Sequence, residues 1–298
     1  MSARDAALEE GAGPVPAPYL SSGTAAWRRF RRNRLALFGA TIVAVLVLLA
    51  VFAPYVAPAD PARQSLADKR MPPGGKYLLG ADEFGRDIAS RLVYGSRVAL
   101  VVGLVSVLIA LVLGIVLGTA AGYLGGAADE VVMRSLDVLL AFPYLLLAIA
   151  IVSALGPGIQ NTILAVGIWA TPGFARVIRG SVLSIKEQEY VAAARAIGAG
   201  ALRIVVRHVL PNCISILVVY SALYMASAIL LEAALSFLGL GVQPPTPSWG
   251  LMVSTGRDFI TIAPHIATLP GLAIAVTVLG FNLLGDGLRD ALDPKMTL

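Results

Sequence analysis

Residues 98–123 read VALVVGLVSVLIALVLGIVLGTAAGY, twenty-six positions without a single charge. At 1.5 Å per residue, a helix of that length is more than enough to cross the roughly 30 Å hydrocarbon core of a bilayer. Five further apolar stretches accompany it, at residues 35–56, 138–155, 159–175, 214–238 and 266–284, and Glu232 is the only charged residue in all six. The composition agrees. Of 298 residues 57% are hydrophobic, and the 30 glycines bring the apolar share to about two thirds, where soluble domains have roughly half. Charged residues make up 14%, against roughly 25% on average. An ordinary soluble globular protein is excluded, and six membrane-spanning helices are predicted.

The first stretch, 35–56, is too long for the 7–15-residue apolar region of a signal peptide and has no convincing small-residue cleavage site. Residues 1–26 are rich in Ala, Gly, Pro and Ser and read as a disordered tail; the basic run WRRFRRNR follows at 27–34. The stretch 159–175 is short and interrupted by Pro172 and Gly173, so its ends are the least defined. Pro143 and the Pro172-Gly173 pair are expected at kinks or span ends. The chain divides into a tail with its basic run (1–34), a first span (35–56), a loop (57–97) and a five-helix core (98–298). With the N-terminus inside, fifteen of the 23 Lys and Arg residues fall on inner segments and eight on outer ones, which favours both termini in the cytoplasm. Loop 57–97 carries seven of the eight outer ones and weakens that count. Within it, 82–97 (DEFGRDIASRLVYGSR) places Phe84, Ile88 and Leu92 on one helical face, as in a helix lying at the membrane interface or packed on the outer ends of the spans.

Several chemistries have no residues to carry them. The one cysteine, Cys213, and the two histidines, His208 and His265, cannot form a disulfide or a Cys/His metal cluster. No G-x-x-x-x-G-K-[ST] loop occurs, so the chain has no Walker A cradle for ATP, and the spans lack the acidic and histidine chains of a proton relay. The basic balance reports orientation rather than nucleic-acid binding. Gly114, Gly118 and Gly122 recur at i, i+4 and i+8, clearing one stripe for close helix packing. Glu232 is a candidate pathway residue because ionisable groups in spans are costly; the alternative is a carboxylate near the outer end, bonded to backbone or water. Asn282 is a second polar candidate. The segment 176–213, RVIRGSVLSIKEQEYVAAARAIGAGALRIVVRHVLPNC, separates spans four and five on the inner side. Its apolar spacing predicts two or three short amphipathic helices broken at Gly198 and Gly200, suited to docking in a partner's groove or to resting on the chain's own spans.

The stretch 190–198, YVAAARAIG, followed by Leu210-Pro211, resembles the EAA loop of ABC importer permeases, E-A-A-x-x-x-G-x9-I-x-L-P. Aligned on Gly198, the residues Ala193, Ala194, Gly198, Leu210 and Pro211 match. Ala192 stands where glutamate is usual and His208 where isoleucine is; Glu189 lies three residues before the missing acid. The segments WRRFRRNR (27–34), LGADEFGRDI (79–88), MRSLDV (133–138) with AFP (141–143), LSFLGLG (235–241) with QPPTPSWG (243–250), and NLLGDGLRDALDP (282–294) resemble the C-type permease of dipeptide, oligopeptide and glutathione importers, an architecture shared with nickel importers. The resemblance covers the chain from about Trp27 to its end. It implies an all-α permease subunit of the bacterial plasma (inner) membrane, not itself an enzyme and with no cofactor of its own. A second permease, two cytoplasmic ATPases that hold ATP and Mg, and an extracytoplasmic binding protein are implied as partners in alternating access. In that picture the hairpin near 185–205 couples to the ATPases. Ala193, Ala194 and Gly198 are small to fit a cleft, Glu189 and Arg195 make polar contacts at its edge, and Tyr190, Leu210 and Pro211 complete the element. A stand-alone carrier or channel and a non-transporting membrane scaffold are the other readings of the residues.

Overall fold

The computed structural model describes residues 22–292. Residues 1–21 of the tail, and the final residues including Pro294 and Lys295, lie outside the described residues; from Ser22 the chain is helical. The elements run α1 (Ser22–Arg32), α2 (Arg34–Val51), α3 (Ala53–Val56), α4 (Ile88–Leu124), α5 (Gly126–Leu140), α6 (Tyr144–Leu155), α7 (Ile159–Ile185), α8 (Glu189–Ala196), α9 (Ala201–Ile204), α10 (Leu210–Phe237), α11 (Trp249–Gly256) and α12 (His265–Leu292), with no strand among the described residues. Among the described residues four helical stretches are long and apolar enough to cross a membrane: α2, α4, α12 and the continuous helix of residues 201–237. The pair α5 and α6 makes a fifth if counted as one span, although it bends by 92° at the break before Pro143. The stretch 138–155 therefore turns a sharp corner at Pro143, the kink expected of that proline, and Pro143 stands at the cap of α6.

Helix α4 is inverted relative to a soluble helix. Val101, Leu104, Leu108, Val112 and Val116 are exposed at helical spacing, while Ala99, Gly103, Ser106, Ala110, Gly114 and Gly118 face inward. Large side chains meet lipid and small ones let backbones approach, as packing without a hydrophobic drive between helices requires. The partner on that inner face is α7, the most extensive helix pair in the structure. A Cβ on Gly114 would lie 2.4 Å from the Phe174 Cβ, one on Gly118 2.4 Å from the Ala175 carbonyl, and one on Gly122 2.9 Å from the Val182 Cβ. Helices α2 and α12 interlock in the same way. Cβ atoms on Gly39, Gly280 and Gly287 would meet Leu283, Ile42 and Ala36 at 2.7, 2.6 and 2.2 Å. Asn33 clips this pair: its oxygen accepts the Ala36 N–H as the α2 cap (3.1 Å), and its Nδ2 donates to Asp290 of α12 (3.3 Å).

In place of the separate helix expected over 82–97, residues 82–87 form a tight turn and α4 begins at Ile88 and runs on through the span. Asp82 organises the turn. Its carboxylate accepts from the backbone of Phe84 and Arg86 (2.9 Å each) and from Arg86 Nε (2.6 Å), with Arg91 Nε at 3.4 Å. Asp87 caps α4 by accepting from Ser90 N (2.7 Å), and the Ser90 hydroxyl accepts from Ala59 N (2.9 Å). Arg86, Asp87 and Arg91 are thus buried. Residues 57–87 fold into a cap on the starting end of α4, some 37 residues of helix away from Leu124.

Candidate functional site

At that far end sits the hairpin. Helix α7 does not stop near Ala175 but continues to Ile185, and α10 starts at Leu210 with Pro211 in its first turn, so the segment outside long helices is shorter than 176–213. Pro172 lies inside α7 without ending it. Between them lie α8, α9 and a π-helical turn, Val205–Val209, leading directly into α10. Glu189 in the first turn of α8 and Arg195 in its last both complement the helix dipole.

The break at Gly198 has a specific geometry. Gly198 has φ +86°, its N–H donates to the Arg195 carbonyl (2.9 Å), and the Ala199 N–H reaches back to the Ala194 carbonyl (3.0 Å). This is a Schellman stop, which favours glycine in the left-handed position. A Cβ there would meet nothing within 4 Å, so the conformation, not space within the chain, selects glycine.

The two alanines of the motif face opposite ways. Ala194 is buried with Val191 against the chain's own core, whereas Ala193, with Ala192, Glu189, Tyr190, Arg195 and Gly198, is exposed. Ala194 is therefore packed within the chain, and Ala193 is the alanine that faces outward. Pro211 is exposed and Leu210 half-buried. The hairpin is tied to the end of α4 by Lys186 Nζ donating to the Gly122 carbonyl (3.2 Å) and by Arg195 over the Tyr123 ring (5.5 Å), while the Tyr190 ring lies tilted against His208 at 6.0 Å. At its tip Ile197 is 87% and Leu202 78% exposed. Both belong to the apolar spacing that predicts the short helices of this segment, but that spacing does not tell an outward-facing apolar residue from one packed inside.

Glu232 is fully buried at the other end of α10. It accepts from the Ser236 hydroxyl (2.7 Å), and Ser248 is a second hydroxyl partner. The Ser236 hydroxyl in turn accepts the Val242 N–H (3.2 Å), so this carboxylate knots α10 to the 238–248 turn. Asn282 is exposed on α12 and is not brought near Glu232's partners. Among the described residues no group of three His, Cys, Asp or Glu could hold a metal ion.

The family described as "Binding-protein-dependent transport system inner membrane component" matches residues 110–298, and "N-terminal TM domain of oligopeptide transport permease C" matches residues 21–73. The di/tripeptide transport system permease protein DppC of Pseudomonas aeruginosa (strain UCBPP-PA14) is 49% identical over 276 residues, covering 91% of each chain. The glutathione transport system permease protein GsiD of Escherichia coli O6:K15:H31 (strain 536 / UPEC) is 48% identical over 271 residues, 91% of this chain and 89% of that one. In solved structures, an inward-facing form of the MetNI methionine ABC transporter shares the fold with a TM-score of 0.54 at 20% identity, over 67% of this chain and 95% of that one. With its helical membrane architecture and these matches over most of its length, the chain belongs to the family of inner membrane components of binding-protein-dependent transport systems.

Proposed function

We propose that this chain is one of two membrane subunits of an ABC importer for short peptides, including glutathione-like ones. The similarity to DppC and GsiD over 91% of the chain carries this reading. Six spans with both termini in the cytoplasm fit it, α5–α6 counting as one bent span and the first half of α7 as another. The cap then faces outward, toward the binding protein that delivers cargo. The hairpin faces inward, toward two ATPases that hold ATP and Mg. Ile197 and Leu202 supply the apolar contact with the ATPase and Glu189 and Arg195 the polar edge, Glu189 standing one turn before Ala192 on the same face. ATP-driven closure of the ATPases moves the hairpin and, through α7 and α10, the spans.

The test is to tag the chain in its native membrane, extract it mildly and identify what copurifies. A second permease with two Walker A proteins is the expected result. Recovery of the chain alone, under conditions that keep other membrane complexes whole, would overturn the proposal.

A further inference from the structure

Four aromatic rings form a connected row across three helices. Tyr144 of α6 lies 5.7 Å from Trp169 of α7, Trp169 lies 5.8 Å from Tyr224 of α10, and Tyr224 lies 6.2 Å from Tyr220, centroid to centroid. The row borders the core without lying inside it: Trp169, Tyr220 and Tyr224 pack against it. Phe174 beneath Tyr224 is fully buried, but Tyr144 is exposed and the other three are partly open. Gly173 makes room for it: a Cβ there would lie 1.7 Å from the Tyr224 hydroxyl. At Tyr220 the row enters a cavity of about 500 Å³ between α7, α10 and α12, at the hairpin end, whose wall includes Ser181, Asn212, Ser215 and Arg289. Arg289 makes no ion pair among the described residues. One helical turn from Gly173 toward the same end, Arg176 pairs with Asp137 at 2.5 Å, both half exposed.

This face suits neither lipid nor a helix seam. Lipid-facing positions on α4 carry Val and Leu, and the seams with α7 and α12 carry glycine and alanine. Rings with hydroxyls, a cavity of mixed polar and apolar lining, and a guanidinium with no ion pair among the described residues instead suit a ligand with varied side chains, amide groups and a free carboxylate. Aromatic faces accept aliphatic, aromatic or cationic groups without demanding one shape, hydroxyls reach amides, and guanidinium holds a carboxylate with two parallel bonds. The cavity volume falls in the range of small-ligand sites.

We infer that the row Tyr144–Trp169–Tyr224–Tyr220 and the cavity it enters are this chain's wall of the translocation path, and that they take a short zwitterionic peptide, its side chains crossing the rings and its carboxylate meeting Arg289. This rests on the importer reading above.

The test uses the complete transporter with its binding protein in proteoliposomes, comparing wild type with Tyr220→Ala and Arg289→Gln. Peptide moved per ATP is expected to fall at least tenfold in both while loaded binding protein still stimulates hydrolysis within twofold of wild type. A dipeptide with a benzophenone side chain is expected to label residues between 169 and 224. Wild-type stoichiometry in both Tyr220→Ala and Arg289→Gln would sink the inference, as would disulfide capture of cysteines placed at 144 and 220 by the second permease in the resting complex, which would make this face a subunit seam. A wild-type complex that moves some other solute and no short peptide would instead sink the peptide reading itself, and with it the ligand named here.

Discussion

Gly198 shows what a motif residue does physically. Its left-handed backbone closes α8 by a Schellman stop while its Cα faces open space. Asparagine tolerates that conformation better than other side chains, so Gly198→Asn should keep uptake within a few-fold of wild type. Gly198→Trp adds strain and bulk on the exposed tip and should abolish transport, or uncouple it from ATP hydrolysis, without removing the chain from the membrane. Uptake assays with membrane-fraction blots distinguish these outcomes, and wild-type uptake by the tryptophan variant would refute the coupling role. In the cap, burial first and the Asp82 charge second push the Glu83 carboxyl above its ordinary 4.5, and its Oε2 has no partner. A carboxyl raised in the folded state binds its proton more tightly there, so its ionisation weakens the cap as pH rises through the folded value. Glu83→Gln should therefore raise the melting temperature at pH 8 and flatten its dependence between pH 8 and 5. Asp68 has the opposite sign: Lys76 first, then Ser65, hold it down to about 2, so its contribution persists through mild acid and is lost only as pH falls toward that value.

Among the elements, the α4–α7 seam depends on absence of side chains. Gly118→Leu should push Ala175 and Ile178 of α7 away from α4 and cost about 1–3 kcal/mol, the usual range for overpacking. Gly180→Ala, on the open side of α7 with nothing within 4 Å of the new atom, should be neutral or slightly stabilising. Thermal melts of the two purified variants make the comparison. That stripe was legible in the sequence because i, i+4, i+8 spacing is a geometric statement about one helix face. The ends of α7 and α10 were not legible, because apolar run length marks the thickness of lipid rather than the extent of hydrogen bonding, and Arg176 and Arg179 continue α7 beyond the apolar run. Nor could the two prolines be told apart. Pro143 heads α6 at a corner, whereas Pro172 is buried in α7 between α4 and α10, whose packing holds the helix through the missing N–H. The aromatic row escaped notice for a related reason: Tyr144, Trp169 and Tyr224 are far apart in sequence and only the helix packing aligns them.

For the whole molecule, the fold shows what holds the basic residues of the 57–97 loop. Of the seven basic residues in 57–97, Arg86 and Arg91 are buried on Asp82, Lys76 pairs with Asp68, Arg70 lies over the Phe259 ring, and Arg97 donates to the Ala50 and Val51 carbonyls that end α2. Inner basic residues are held in the same way, Arg134 by Glu130, Arg176 by Asp137, Arg179 by Asp129, Lys186 by the Gly122 carbonyl and Arg195 over the Tyr123 ring, so setting held charges aside on both sides leaves the inner excess at seven. A cysteine at Ala62 should accordingly react with a membrane-impermeant maleimide added outside intact cells, and one at Ala196 only after the membrane is opened; the reverse pattern would invert the proposed topology.

Helix α7 has one further consequence. It is unbroken over 27 residues, so it is a rod of about 40 Å with the hairpin at one end, Trp169 and Gly173 near its middle and the Gly158 turn at the other. Such a rod works as a lever. Tilting it by about 5° about its midpoint would carry each end roughly 2 Å while the middle rotates almost in place. A push of atomic size at the hairpin would therefore arrive at the far rim as an opening of comparable size, and at the rings as a change of angle.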